Sequence, residues 1–323
     1  MKEINMETII LENKIKKFKA YLLVIIILLF QTDLHSYENK IIFKIDNEII
    51  TNLDLENEII YLTALNPNLK KLDKAELIQI SQKSLIQEKI KKIEIQKNFK
   101  SPKISEEFLK QLLKNIYSRI GIESLDNFKK YLSLNQIDYD EVLQKIEIEA
   151  LWNELIIVKF SKKIKIDQKQ LEKEIKKNIN NEIKTYLMSE IFFEIKNDET
   201  VQNKYQKIIA SIKQIGFENT ALKFSISETS KIGGRLDWIN ENSLNKKIKE
   251  LLNTKKINEF TKPITVPGGF LILKINDIKI TKSEKNIDNE LQKLIQSTRN
   301  NQLNQFSKLY FNKVKENVEI NEI

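Results

Sequence analysis

The hydrophobic period of this chain changes twice, near residue 184 and again near residue 287. Those two changes restrict it to an α+β architecture in which a mainly helical first half gives way to a strand-containing segment and a helix then returns. In the first half, Phe108, Leu109, Leu112, Leu113, Ile116, Tyr117 and Ile120 recur at i, i+3 and i+4, the spacing of one buried helix face. Ser105-Glu-Glu opens that helix with acids on the positive end of its dipole, and Gly121 stops it.

The other elements follow from the same signals. Lys40–Thr51 alternates apolar and polar residues and turns at Asp46-Asn47, as a short hairpin does. Asn52 or Asp54 opens a helix that Asn66-Pro67-Asn68 breaks. Asp73 caps a long helix carrying Leu77, Ile80, Leu85, Ile86, Ile90 and Ile93. Ser124 starts a short helix, Asp138 to Glu141 has the capping-box pattern, and Asp167 starts one more helix. Past residue 184, Tyr186–Ile195 reads as a strand and Val201–Ile212 as a helix. Gly233-Gly234, a short helix near Leu244–Leu252 and the strand Gly269–Ile275 follow. That last strand is apolar on both faces, which argues for a central position in its sheet. Ile287–Val314 is the returning helix, and Asn317–Ile320 reads as a closing strand.

Residues 1–36 read as an export signal. Four lysines (Lys14, Lys16, Lys17, Lys19) precede the eleven-residue apolar run Ala20–Phe30, and Leu34-His35-Ser36 reads as the cleavage site. Eleven apolar residues are too few for a bilayer, which needs about 20, but suit a signal core. No stable membrane insertion is expected after cleavage. The chain has no cysteine, so thiolate metal and redox sites are excluded. Its single histidine, His35, lies inside the signal, so a zinc site would need carboxylates alone, and no metal or cofactor is expected. The net charge is +9, but Arg119, Arg235 and Arg299 are the only arginines. Nucleic-acid readers lean on arginine for bidentate contacts. The lysine excess therefore reads as solvated surface, with no nucleic-acid partner. Glu147, Glu149 and Glu154 on one helix likewise read as a solvated face.

Several segments resemble the SurA class of periplasmic chaperones with a parvulin-type (PpiC-type) prolyl isomerase domain. Ile45-Asp-Asn-Glu-Ile-Ile-Thr-Asn-Leu-Asp-Leu55 resembles the family's opening hairpin and helix start. Ser230-Lys-Ile-Gly-Gly-Arg-Leu-Asp-Trp-Ile239 resembles its Ser-x-x-Gly-Gly-Asp-Leu-Gly-Trp core, and Pro267-Gly-Gly-Phe-Leu-Ile-Leu-Lys274 its Pro-Phe-Gly-Trp-His-Ile-Ile-Lys strand. The resemblance implies a helical chaperone module over residues 37–182 and a parvulin-like domain over 183–281. Residues 282–323 would then be a C-terminal helix that packs back on the first module.

Parvulin sites are built around two histidines and an Asp or Cys beside an apolar proline pocket. By the motifs quoted, the first histidine falls on Glu190, with Ser189 as the alternative, and the second on Leu271. The Asp or Cys position falls on Ser227. The pocket positions fall on Leu244 and Ile248, with Trp238 and Phe270 beside them. Leu271 cannot hydrogen-bond, and a carboxylate at 190 near an apolar pocket is expected to have a raised pKa from desolvation.

The resemblance thus implies an ATP-independent chaperone of the periplasm. It would bind unfolded exported or outer-membrane polypeptides, with weak or no isomerase activity. The alternative is an active periplasmic peptidyl-prolyl isomerase that assists folding. A third reading is an envelope scaffold that binds one stable partner and no unfolded client.

Overall fold

The computed structural model describes residues 39–100, 102–177, 182–195, 199–282 and 287–323. The export signal read at residues 1–36 lies outside the described residues. Among the described residues no helix is long and apolar enough to cross a membrane.

The helical part begins with the expected hairpin, β1 (Ile41–Ile45) and β2 (Glu48–Thr51), which turns at Asp46 with φ +47°. Helix α1 (Asn52–Leu65) is capped by Thr51, one residue before the start expected from sequence. Thr51 Oγ1 accepts from Asp54 N at 3.2 Å, and the Asp54 carboxylate accepts from Thr51 N at 2.7 Å. That reciprocal pair needs a hydroxyl at the cap and an acid three residues on, a pairing that Asn52 and Asp54 do not offer at their own positions. Helix α2 (Lys74–Asn98) is capped by Asp73, α3 (Glu106–Arg119) by Ser105 and α4 (Leu125–Leu134) by Ser124. Asp138 caps α5 (Tyr139–Phe160) by accepting from Asp140 N, so the cap is a local Asx-type turn instead of a capping box. Helix α6 (Gln168–Lys177) follows.

The stripe on α3 is buried at Leu113 and Tyr117 and half-buried at Leu109, Leu112, Ile116 and Ile120, whereas Phe108 at its start is exposed. Leu113 and Tyr117 pack with Phe128, Leu132, Val142 and Ile146 of α4 and α5. The returning helix α9 (Ile287–Glu316) lies on the other side of α5. There Trp152 is fully buried, donates from Nε1 to Ser307 Oγ at 2.8 Å and stacks on Tyr310 at 5.7 Å. The final strand β7 (Ile320–Glu322) pairs with β1, giving the order β2-β1-β7. It starts at the last residue of the stretch read as a strand. The first and last described elements therefore share one sheet and one core, and the α+β segment is inserted between them in sequence.

The α+β segment holds a four-stranded antiparallel sheet in the order β4-β3-β6-β5. Its strands are β3 (Glu182–Phe193), β4 (Arg235–Asn240), β5 (Ile264–Val266) and β6 (Gly269–Lys282). β6 is internal, as its two apolar faces require. On one face Tyr186, Met188, Leu273 and Ile275 meet Ile248 and Leu252 of α8 (Lys246–Asn253). On the other, Ile191, Phe193 and Ile272 meet Ile208, Phe217 and Ala221 of α7 (Val201–Phe224). Helix continues past the predicted end at Ile212 as far as Gly216, whose φ of +82° breaks it, and a second helical stretch then runs to Phe224.

The two parts touch where α7 ends. Leu222 joins Leu62, Leu69, Leu72 and Ile80 in one apolar cluster. Lys83 Nζ donates to the carbonyls of Leu222, Lys223 and Ser225, placing a cation at the negative end of α7. Burial, helped by Lys315 and Lys204, pushes the Lys83 pKa down to about 8. Lys223 pairs with Glu76 at 2.6 Å.

Candidate functional site

Glu190 sits inside β3, where an interior strand position leaves the residue only 5% exposed. Its backbone N–H donates to Gly234 O at 2.7 Å, so the turn after α7 is drawn directly against β3. That approach explains the second glycine of the Gly233-Gly234 pair. Gly234 has φ +75°, and a Cβ there would land on the Glu190 carbonyl oxygen. The turn is anchored further by Phe192 N, which donates to Ser225 Oγ at 3.0 Å, and by Ile226 N, which donates to Phe192 O at 2.7 Å.

The backbone arrangement puts the hydroxyls of residues 227 and 229 on the buried carboxylate. Ser227 Oγ donates to Glu190 Oε1 at 2.5 Å and Thr229 Oγ1 at 2.9 Å. The decisive partner comes from a different part of the chain. Lys308 Nζ, on α9, lies 2.9 Å from both Glu190 oxygens, with the lysine side chain 15% exposed. Burial pulls the Glu190 pKa up. The Lys308 ammonium and the bonds from Ser227 and Thr229 outweigh it, so the pKa lies below the usual carboxylate value. The rise expected from desolvation alone is thus reversed by a cation that lies 118 residues away in the sequence.

The same turn makes a second ionic contact. Lys231 and Lys91 each lie 2.5 Å from an oxygen of Glu149, which is therefore an ion-pair centre and not part of a solvated face. Its covering pulls the pKa up, but the two ammonium groups hold it down at about 2.

These depressed carboxylates set a pH dependence. Both folded pKa values lie below the unfolded one, so their stabilisation is complete above about pH 4.5 and is lost as pH falls through the folded values. Unfolding midpoints in denaturant, measured from pH 6 to pH 2, are expected to fall with acid in the wild type. Glu190→Gln, already weaker at pH 6, should fall less steeply. Parallel acid limbs would mean that Glu190 does not titrate in this window.

The predicted pocket residues separate into two groups. Leu244, Ile248 and Leu271 come together in the cluster on the α8 face of the sheet. Leu271 pairs with Phe192 across the ladder, two residues along β3 from Glu190. Phe270 lies on the opposite face, stacked on Phe193 at 5.7 Å. Trp238 pairs with Leu187 and carries Lys279 Nζ 4.0 Å above its ring. Ser189 accepts from Asn276 Nδ2 at 2.8 Å and takes no part in the Glu190 cluster. Among the described residues no group of His, Cys, Asp and Glu is arranged to hold a metal ion.

Lys308, Thr229, Lys231 and Lys91 were missed by sequence reasoning. A lysine beside the apolar positions Phe306, Tyr310 and Phe311 reads as a solvated helix residue. Only its partner's location, 118 residues earlier, shows otherwise.

Residues 188–277 match the family described as the PPIC-type PPIASE domain (Rotamase). The chain is 24% identical over 188 residues to the Chaperone SurA of Pseudomonas putida, covering 54% of this chain and 43% of the relative. It is 25% identical over 253 residues to the Chaperone SurA of Buchnera aphidicola, covering 72% and 57%. The chain thus spans about half the length of these curated relatives. A solved structure from work on the SurA-like chaperones PEB4 and Cj1289 of Campylobacter jejuni is 16% identical, with 88% of this chain and 99% of that one covered at a TM-score of 0.34. The segment that carries Glu190, Ser227 and the Gly233-Gly234 turn is therefore similar to a PPIC-type isomerase domain, in a chain whose curated relatives are SurA chaperones.

Proposed function

We propose that this protein is an ATP-independent chaperone of the periplasm that binds unfolded exported or outer-membrane polypeptides. Its parvulin-like domain, over residues 183–281, serves as a binding and structural part with weak or no isomerase activity. Residues 37–182 and the C-terminal helical segment 282–323 form the chaperone module.

One observation carries the reading of the domain. Each oxygen of the Glu190 carboxylate is already taken by a donor of this chain: Ser227, Thr229 and Lys308 on one, Lys308 on the other. An isomerase must stabilise the twisted amide more than either planar form, and any polar group that takes part must be free to change partners during rotation. A charged carboxylate held by a half-buried ammonium is committed to its own fold. Leu271, the other position that the family motif would give to histidine, has nothing to donate. The likeness to the SurA chaperones supports the binding role, which needs apolar surface and no nucleotide. The match to the isomerase family favours the second reading, an active peptidyl-prolyl isomerase in which the apolar Leu244, Ile248 and Leu271 act on proline by desolvation alone.

The test of the chaperone role is light scattering from a urea-unfolded outer-membrane β-barrel diluted into buffer. Strong suppression is expected at roughly one chaperone per client, without ATP, as binding of the unfolded form by mass action requires. Scattering equal to that of an inert control protein at the same ratio would sink the role. Tight binding of one folded envelope partner instead would favour a scaffold.

A further inference from the structure

A second polar cluster surrounds a cavity in the helical part, between α1, α2, the α4–α5 turn and the start of α5. Its volume is about 150 Å³, far above the roughly 10–15 Å³ that one water needs. Leu85 and Val142, both buried, and Ile137 give it an apolar wall. The carboxylates of Asp54, Glu58, Glu88 and Glu141 line it, against the ammonium groups of Lys89 and Lys145. Lys89 is turned to Glu48 at 3.3 Å, and Lys145 is shared by Glu88 at 2.6 Å and Glu58 at 2.8 Å. The lining thus carries an excess of negative charge. Glu58 is 2% exposed, and its Oε2, although within reach of Lys145, receives no hydrogen bond. A buried carboxylate oxygen without a donor is costly. Glu141 lies at the rim. Asp138 caps α5 through Asp140 N, and the Glu141 carboxylate lines the cavity instead of reaching back to the helix start. Burial and then Asp138 push the Glu141 pKa up, with Asp54 and Glu88 adding to the rise and Lys145 opposing it. Tyr61 completes the lining. Its phenol, pushed up to about 12 chiefly by burial, stays neutral, and Lys145 Nζ already stands 5.4 Å from the ring centre, where a cation is favoured.

We propose that this cavity binds an organic cation on an alkyl stem: the end of an arginine or lysine side chain, or a free polyamine. Charge selects the class. An anion would meet the carboxylates, and a neutral guest would leave their negative excess unrelieved. A bare metal ion does not suit, since among the described residues no group of acids is arranged to hold one. The wall of Leu85, Ile137 and Val142 suits the stem, because long cationic side chains lay their methylenes on apolar surface and keep the charged head among polar groups. The head would donate to Glu58 Oε2 and to Glu141, and such charge-assisted bonds are stronger than neutral ones. A guanidinium has five donors in one plane, enough for both carboxylates and the Tyr61 oxygen together, so arginine should bind more tightly than lysine. That the occupant belongs to an unfolded client rests on the chaperone reading; the cation site does not.

The test uses the full chain with isotope-labelled methyl groups. Leu85, Ile137 and Val142 report on the cavity, and Ile272, buried in the inserted sheet, is the control. Ethylguanidinium chloride is titrated first, with sodium chloride at matched ionic strength as the blank. Saturable shifts at the cavity methyls, with Ile272 still, are expected. Glu141→Lys, at an exposed rim position, should weaken binding about tenfold or more, because a like charge at the mouth opposes entry. Glu141→Gln, which keeps the shape and removes the charge, should weaken it by less. No saturable shift, or equal affinity in the wild type and Glu141→Lys, would overturn the site. The second arm separates the sources. A short disordered peptide with a single arginine, its citrulline twin and spermidine are titrated in turn. Binding of the arginine peptide at least as tight as that of ethylguanidinium, with about a tenfold loss in the neutral twin, assigns the site to a polypeptide side chain. Binding of spermidine without the peptide assigns it to a free polyamine. Equal binding of the arginine and citrulline peptides would overturn the charge argument. If the arginine peptide binds while aggregation of the unfolded barrel is not suppressed, the chaperone reading falls and the cation site stands.

Discussion

Replacing Glu190 with alanine is expected to lower the unfolding free energy by about 3–5 kcal/mol, the loss typical when one partner of a buried ion pair is removed. The variant leaves the Lys308 ammonium, whose side chain is 15% exposed, without its counter-charge. It also strips the acceptor from Ser227 and Thr229. Removing both charges has a different expected result. Glu190→Leu combined with Lys308→Met fills the same space with apolar groups, and such exchanges are often neutral or stabilising. The double variant should therefore be markedly more stable than Glu190→Leu alone. Denaturant unfolding of the wild type, both single variants and the double gives the coupling energy directly. Additive effects, with no recovery in the double variant, would show that the pair is not coupled.

Gly234→Ala should be at least as damaging. A left-handed backbone costs a residue with a Cβ roughly 1–2 kcal/mol. At Gly234 the Cβ also falls on the Glu190 carbonyl oxygen, which belongs to a strand fixed on both sides by its ladder partners. The turn must move, and with it Ser227, Thr229 and Lys231. Gly121 provides the control. It has φ +77°, but a Cβ added there would meet nothing within 4 Å, so Gly121→Ala should show the backbone cost alone. Thermal unfolding of the two variants side by side separates the effects. Equal losses would mean that the turn yields easily and does not hold the Glu190 site.

The helical part was largely legible because its signals are local. Asp73, Ser105 and Ser124 cap the helices they were expected to cap, and the stripe from Phe108 to Ile120 turns its Leu113 and Tyr117 into the core. The short edge strands were not legible. β5 has three residues, and β4 follows directly on two glycines, so neither gives enough alternation to count. The site was half legible. Motif spacing led to Glu190 and Ser227, which the structure joins by a hydrogen bond. It could not supply Lys308, because nothing about a lysine on a long amphipathic helix says which carboxylate it meets. It also grouped Glu149 with Glu147 and Glu154, since its pairing with Lys91 and Lys231 is a tertiary fact. The charge of Glu190, and so its role, depended on that missing partner.

The Glu190 cluster, on this account, holds the fold together and does not turn peptide bonds. Exchange spectroscopy on a proline-containing peptide tests this most directly, with the cis/trans rate measured with and without catalytic amounts of the protein. The expected rate is within about twofold of the unaided one, which takes tens to hundreds of seconds. A tenfold or greater acceleration that disappears in Leu244→Asp would contradict it, and would make the apolar pocket an active site in spite of its committed carboxylate.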